Sequence, residues 1–136
     1  MFNTGKILNY LHVSREILAA AISDLFSFAY VKIYLAAALA VNLAVWSVAH
    51  AVNSNIKDEL VVLHYNIDFG ANLVGGASQV YTIPFLGLII IFANTALLSF
   101  IHRQSRFLAH ALMSAAVLTN IFFLMSAASI YSANFI

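Results

Sequence analysis

Charged residues interrupt the apolar pattern of this chain only in clusters. None occurs from Ile33 to Ile56, from Phe69 to His102 or from Phe107 to Ile136. Each gap exceeds the roughly 20 apolar residues that a membrane-crossing helix requires. The pattern predicts spans near residues 33–52, 83–101 and 108–130, joined by a loop over 53–82 and a short turn over 102–107. Ahead of the first span, Thr4, Leu8, Leu11, Leu18, Ile22, Leu25 and Ala29 recur at spacings built from three and four, with Arg15 interrupting and Ile7 and Phe26 widening the stripe. Polar side chains such as Lys6, His12, Glu16 and Asp24 fall largely elsewhere. This predicts an amphipathic helix lying in the membrane interface, or packed on a partner through the same face.

Within 53–82 the period shortens to two. Leu63, Tyr65, Ile67 and Phe69 alternate with His64, Asn66 and Asp68, which reads as a β-strand with one apolar face. Gly70, Gly75 and Gly76 supply turn punctuation, residues 71–74 a short turn of helix, and residues 79–83 a return strand ended by Pro84 at the start of span two. A hairpin of two strands is marginal in water, so its apolar face needs the bilayer, the helix ends or a partner. Tyr65, Ile67 and Phe69 are the candidate contact residues, and an exposed strand edge offers pairing to another chain. Trp46, Tyr65, Phe69 and Tyr81 suit an interfacial aromatic belt. The expected fold is an all-α integral membrane protein. It has an amphipathic amino-terminal interfacial helix over residues 1–31. A membrane domain over 32–136 follows, with three transmembrane helices and a small extracytoplasmic β-hairpin-like loop between spans one and two.

Composition narrows the class. Of 136 residues, 63% are hydrophobic and 8% charged, against about 25% charged in an ordinary soluble domain. A soluble chain this short has too little interior for that much apolar surface, so lipid is its expected solvent. The net charge of +1 gives no basis for nucleic-acid binding. The absence of cysteine excludes disulfides, thiolate catalysis and Cys-ligated metal centres. Ala49-His50-Ala51 has the form of a signal cleavage site, but residues 1–32 would make an unusually long leading region.

Charge also orients the spans. Lys6, Arg15 and Lys32 precede span one, and Arg103 and Arg106 fall in the 102–107 turn. The 53–82 loop holds only Lys57, against Asp58, Glu59 and Asp68. Basic residues favour the cytoplasmic side. The amino terminus and the turn are expected inside, and the hairpin loop and carboxyl terminus outside, in a bacterial cytoplasmic membrane.

Candidate chemistry is sparse. Ala36, Ala40 and Ala44 in span one, and Ala111 and Ala115 in span three, are small residues at the spacing that lets helices approach closely in lipid. Spans one and three are expected to pack, on each other or on another subunit. Asn42, Asn94 and Asn120 lie inside the spans. Counting along the helices puts Asn42 and Asn94 at similar depth and Asn120 deeper. An amide in hydrocarbon needs a partner, so these are expected to be interhelical glue, with a polar path as the rival reading. His50 falls at the opposite end of the spans from His102 and His110, which disfavours a shared haem. His64, Asp68 and Glu59 form an incomplete metal set, and the expectation is no cofactor and no catalytic residue. No nucleotide-binding, hydrolase or metalloprotease motif is present.

The run LHYNIDFGANLVG followed by IPFLGLIIIFAN resembles small, functionally uncharacterised multi-span bacterial membrane proteins over roughly the second half of the chain. The resemblance implies a bacterial cytoplasmic-membrane setting and supplies no catalytic residue. The expected function is non-enzymatic: a structural or accessory subunit of a membrane assembly, partnered by the bilayer and by other membrane subunits or by itself. The alternatives are an oligomeric transporter or channel protomer, and a metal- or ligand-binding membrane sensor.

Overall fold

The computed structural model describes residues 13, 15–17, 19–20, 22–56, 60–66, 70–101 and 103–135, with backbone alone at 65–66 and 70–72. Three long helices dominate: α1 (Ala29–Asn55), α2 (Thr82–Ile101) and α3 (Arg106–Phe135). All three are long and apolar enough to cross a membrane. Between α1 and α2 the chain forms strands β1 (Leu60–Asn66) and β2 (Gly70–Gly76), then a 3-10 helix (Ala77–Tyr81) that leads directly into α2. Pro84 falls in the first turn of α2, where its missing N–H costs no helical bond.

Packing follows a seven-residue repeat. The buried side chains of α1 are Val31, Ala38, Asn42, Val45, Ala49 and Val52. Those of α3 are Ala109, Met113, Ala116, Asn120, Ala127 and Ile130. Those of α2 are Pro84, Gly87, Ile91 and Leu98. Spacings of three, four and seven keep one seam facing inward, as in left-handed helix packing in membranes. The α1–α3 contact is the most extensive in the bundle, and the alanines singled out from sequence are not among its buried residues. Ala36, Ala40, Ala111 and Ala115 are exposed, and Ala44 is half-buried. The inward seam runs at a mean of 3.5 residues, whereas spacing four follows a different line along the helix.

Large apolar side chains point away from this seam. Ile33, Leu43, Phe92, Phe100, Phe107, Phe122 and Met125 are all more than 60% exposed. With small residues and amides inside and bulky hydrocarbons outside, the bundle suits an apolar surround.

The amino-terminal segment departs from expectation at its junction with α1. Residues 22–25 are helical, residues 26–27 turn, and Phe28 is extended as the cap of α1. The Ser27 hydroxyl donates to the Asp24 carbonyl at 2.6 Å within this turn. Ala29–Val31 therefore belong to the first long helix and not to the segment before it. Thr4, Ile7, Leu8, Leu11 and Leu18 of the amphipathic stripe lie outside the described residues. Leu25 is buried with Val31, Leu98, Ala109 and Met113, fixing the segment's end to the bundle.

The hairpin also differs in detail. The return strand is Gly70–Gly76; residues 71–74 are strand and not helix, and 79–83 are 3-10 and α-helical. The strands pair antiparallel from Leu60↔Gly76 to Asn66↔Gly70, with irregularities on either side of His64. Such bulges break strict alternation and re-aim side chains. The strand runs close to its neighbours at Gly75, where a Cβ would meet the side-chain ends of Gln79 and Leu63. The hairpin rests on the helix ends, where Val61 joins Ala49, Val52, Val80 and Ile130 in a buried cluster.

Candidate functional site: a buried amide pair and two capped ends

The bundle interior holds two buried polar side chains among the described residues, Asn42 and Asn120. The Asn42 amide nitrogen donates to Asn120 Oδ1 and to the Pro84 carbonyl, both at 2.9 Å. The Asn120 nitrogen donates to the Ala116 carbonyl of its own helix, also at 2.9 Å. One node thus ties α1 to α3 and to the first turn of α2. It exists because α2 carries glycine there: a Cβ at Gly87 would overlap Asn120 Oδ1 and Asn42 Nδ2.

The depth of the node is consistent across the three helices. From Asn42 back to Ala29, from Gly87 on to Ile101, and from Asn120 back to Arg106, each helix runs about 20 Å to its end near the 103–105 turn. The expected depths therefore need correction. Asn120 is level with Asn42, and Asn94, seven residues past Gly87, lies about 10 Å nearer the turn. The reason is where the helices begin: α1 starts at Ala29 and α3 at Arg106, both ahead of the expected span starts at 33 and 108, whereas α2 ends at Ile101 as expected. Asn94 is half-buried and stands apart from the pair.

The hairpin end is closed by a residue that the sequence reading passed over. Asn134, in the last turn of α3, pairs with both backbone groups of Val62. The Val62 N–H donates to Asn134 Oδ1 at 3.0 Å, and Asn134 Nδ2 donates to the Val62 carbonyl at 2.9 Å. The amide acts as a one-residue strand neighbour on the edge of β1. Its nitrogen also donates to the Ile130 carbonyl at 2.8 Å. Nearby, Trp46 lies against Tyr81 with ring centroids 5.6 Å apart, and His50 Nδ1 is 3.3 Å from the Tyr81 hydroxyl.

His64 is exposed on β1 and lines an open pocket of about 300 Å³ with Val62, Leu63, Ser126, Ser129 and Ile130. Glu59 and Asp68, its proposed companions, and Ile67 and Phe69 of the contact face, lie outside the described residues, as does the side chain of Tyr65. Among the described residues no three histidines or carboxylates gather to hold a metal ion.

At the opposite end, Arg103 in the turn reaches Asp24. Its Nε donates to Asp24 Oδ2 at 2.9 Å, and Nη2 stands 2.8 Å from the same oxygen. His110 packs against Tyr30 and Tyr34, at centroid distances of 4.7 and 5.7 Å. His50 and His110 thus stand at opposite ends of the bundle. No family model matches this chain, and no curated protein or solved structure matches it.

Proposed function

We propose that this chain is a three-span integral membrane protein acting non-enzymatically, as a structural or accessory subunit of a membrane assembly. Its setting is a bacterial cytoplasmic membrane. The amino terminus and the 103–105 turn face the cytoplasm, and the hairpin and carboxyl terminus face outward. The supporting observation is where the interior polar groups direct their hydrogen bonds. Asn42 and Asn120 bond each other and helix carbonyls, with Gly87 pressed against them. An amide pair used in this way holds helices together and lines no passage. It is also uncharged, whereas proton and ion pathways commonly use ionisable groups at this depth. Function then falls to the surfaces, namely the hairpin and the outward faces of the helices.

Mild extraction from native membrane, followed by cross-linking and native mass spectrometry, tests this reading. A defined complex with other membrane proteins supports it. A stable monomer with no cross-linked partner overturns it.

A further inference from the structure

A groove of about 460 Å³ opens between the amino-terminal segment, α1 and α2. Ile22, Leu25 and Phe26 form one wall, Leu35 and Leu39 a second, and α2 from Ile91 to Phe100 the third. Its polar atoms are already engaged. The Thr95 hydroxyl donates to the Ile91 carbonyl at 2.7 Å, and the Ser99 hydroxyl to the Ala96 carbonyl at 2.6 Å. The lining therefore presents hydrocarbon to whatever enters.

We infer that this groove holds one acyl chain of an anionic phospholipid, with the headgroup at the end nearest the 103–105 turn. The inference rests on reading the three helices as membrane spans. Three observations select this occupant. Size is the first. Ile91 to Phe100 covers about 13.5 Å of helix, close to the roughly 15 Å depth of one hydrocarbon leaflet. Chemistry is the second, because an acyl chain asks for no hydrogen bond and the groove offers none. Charge at the mouth is the third. Lys32 is exposed and lies three and seven residues before Leu35 and Leu39, on the groove face of α1. Arg103 is 73% exposed and follows Phe100 at the end of α2. Its bond to Asp24 uses two of five guanidinium N–H groups. Among the described residues, Lys32 and Arg103 set two cations beside the Asp24 carboxylate, which favours a phosphate-bearing, net-negative headgroup.

The test is native mass spectrometry of the full-length protein in detergent. Palmitoyl-oleoyl phosphatidylglycerol or palmitoyl-oleoyl phosphatidylcholine is added at equal concentration. The wild-type chain is expected to retain one phosphatidylglycerol, in roughly tenfold preference over phosphatidylcholine. Ala96→Trp, which places an indole in the groove from an exposed position, is expected to abolish retention. Lys32→Gln leaves the groove open and removes only an exposed charge, and should lower phosphatidylglycerol retention about fivefold. Equal retention of the two lipids overturns the inference, as does wild-type retention by Ala96→Trp. A homodimer that carries no lipid overturns it in favour of a second copy. The same spectrum separates this inference from the accessory-subunit reading: a lipid-loaded monomer sinks that reading alone, and a lipid-free hetero-complex sinks this one alone.

Discussion

Asn42 and Asn120 define what a single residue contributes in this bundle. Each depends on the other, so their substitutions should not add. Asn42→Leu removes the donor to Asn120 Oδ1 and strands that buried oxygen, at about 1–3 kcal/mol. Asn120→Leu should cost a similar amount. The double leucine variant replaces both partners by hydrocarbon and should lose less than the sum of the two. Reversible unfolding in detergent, run as a double-mutant cycle, reads this directly; strict additivity would mean that the pair is not a unit. Gly87→Ala tests the same node from the third helix and should destabilise by about 1–3 kcal/mol through overpacking. The sequence made the amides legible, because an asparagine inside an apolar run is conspicuous. It did not reveal their pairing, because Lys32 sets the expected start of span one inside the helix, and depth counts from there and not from Ala29. Asn134 was missed for a related reason. It lies just past the expected end of span three, where an amide reads as ordinary interfacial polarity.

At the scale of elements, helices were legible and the small sheet only half so. The charge gaps are long; α1 and α3 fill theirs almost end to end, and α2 takes the later part of its own, after β2 and the 3-10 helix. The first strand carried period-two alternation, and β1 forms there, displaced a few residues toward Leu60. Its partner is Gly-Ala-Asn-Leu-Val-Gly-Gly, which has no alternation to read. β2 is held by pairing to β1 and by close approach at Gly75, neither of which is local in sequence. Gln79–Ile83 has strand-like side chains but continues into α2, whose register it joins through the Thr82 hydroxyl bond to the Gln79 carbonyl at 2.7 Å. The element contacts also differ in strength. Asn134→Leu should strip both backbone groups of Val62 of their partner, at about 1–3 kcal/mol locally. Hydrogen exchange at the Val62 amide should speed up, while amides in the middle of α1 stay protected. Arg103→Gln, by contrast, breaks an exposed ion pair worth about 0.2–1 kcal/mol. Its effect on thermal stability should be small and should vanish at high salt.

At the scale of the whole molecule, the distribution of bulk is inverted relative to a water-soluble bundle. Phe92, Phe100, Phe107 and Phe122 face out, while the inward seam is mostly valine and alanine with Gly87, Asn42 and Asn120. The proposed orientation is testable because the chain has no native cysteine. A cysteine at Ser78, beside the hairpin, should react with a membrane-impermeant maleimide on intact spheroplasts. One at Gln104, in the turn, should react only after permeabilisation. The reverse pattern would invert the topology.

The bond between Val62 and Asn134 spans 72 residues of chain, and this separation sets an order of assembly. The ribosome delivers the hairpin long before the helix that finishes it. Until α3 is threaded and its last turn arrives, the edge of β1 is bare and the hairpin has only half its seat. The hairpin is therefore a late-setting part, and its closure reports that α3 is in place. A nascent chain arrested before residue 127 should expose the 60–76 region to added protease, and release of the full chain should protect it. Any subunit that recognises the closed hairpin would thereby recognise only molecules whose three helices are assembled.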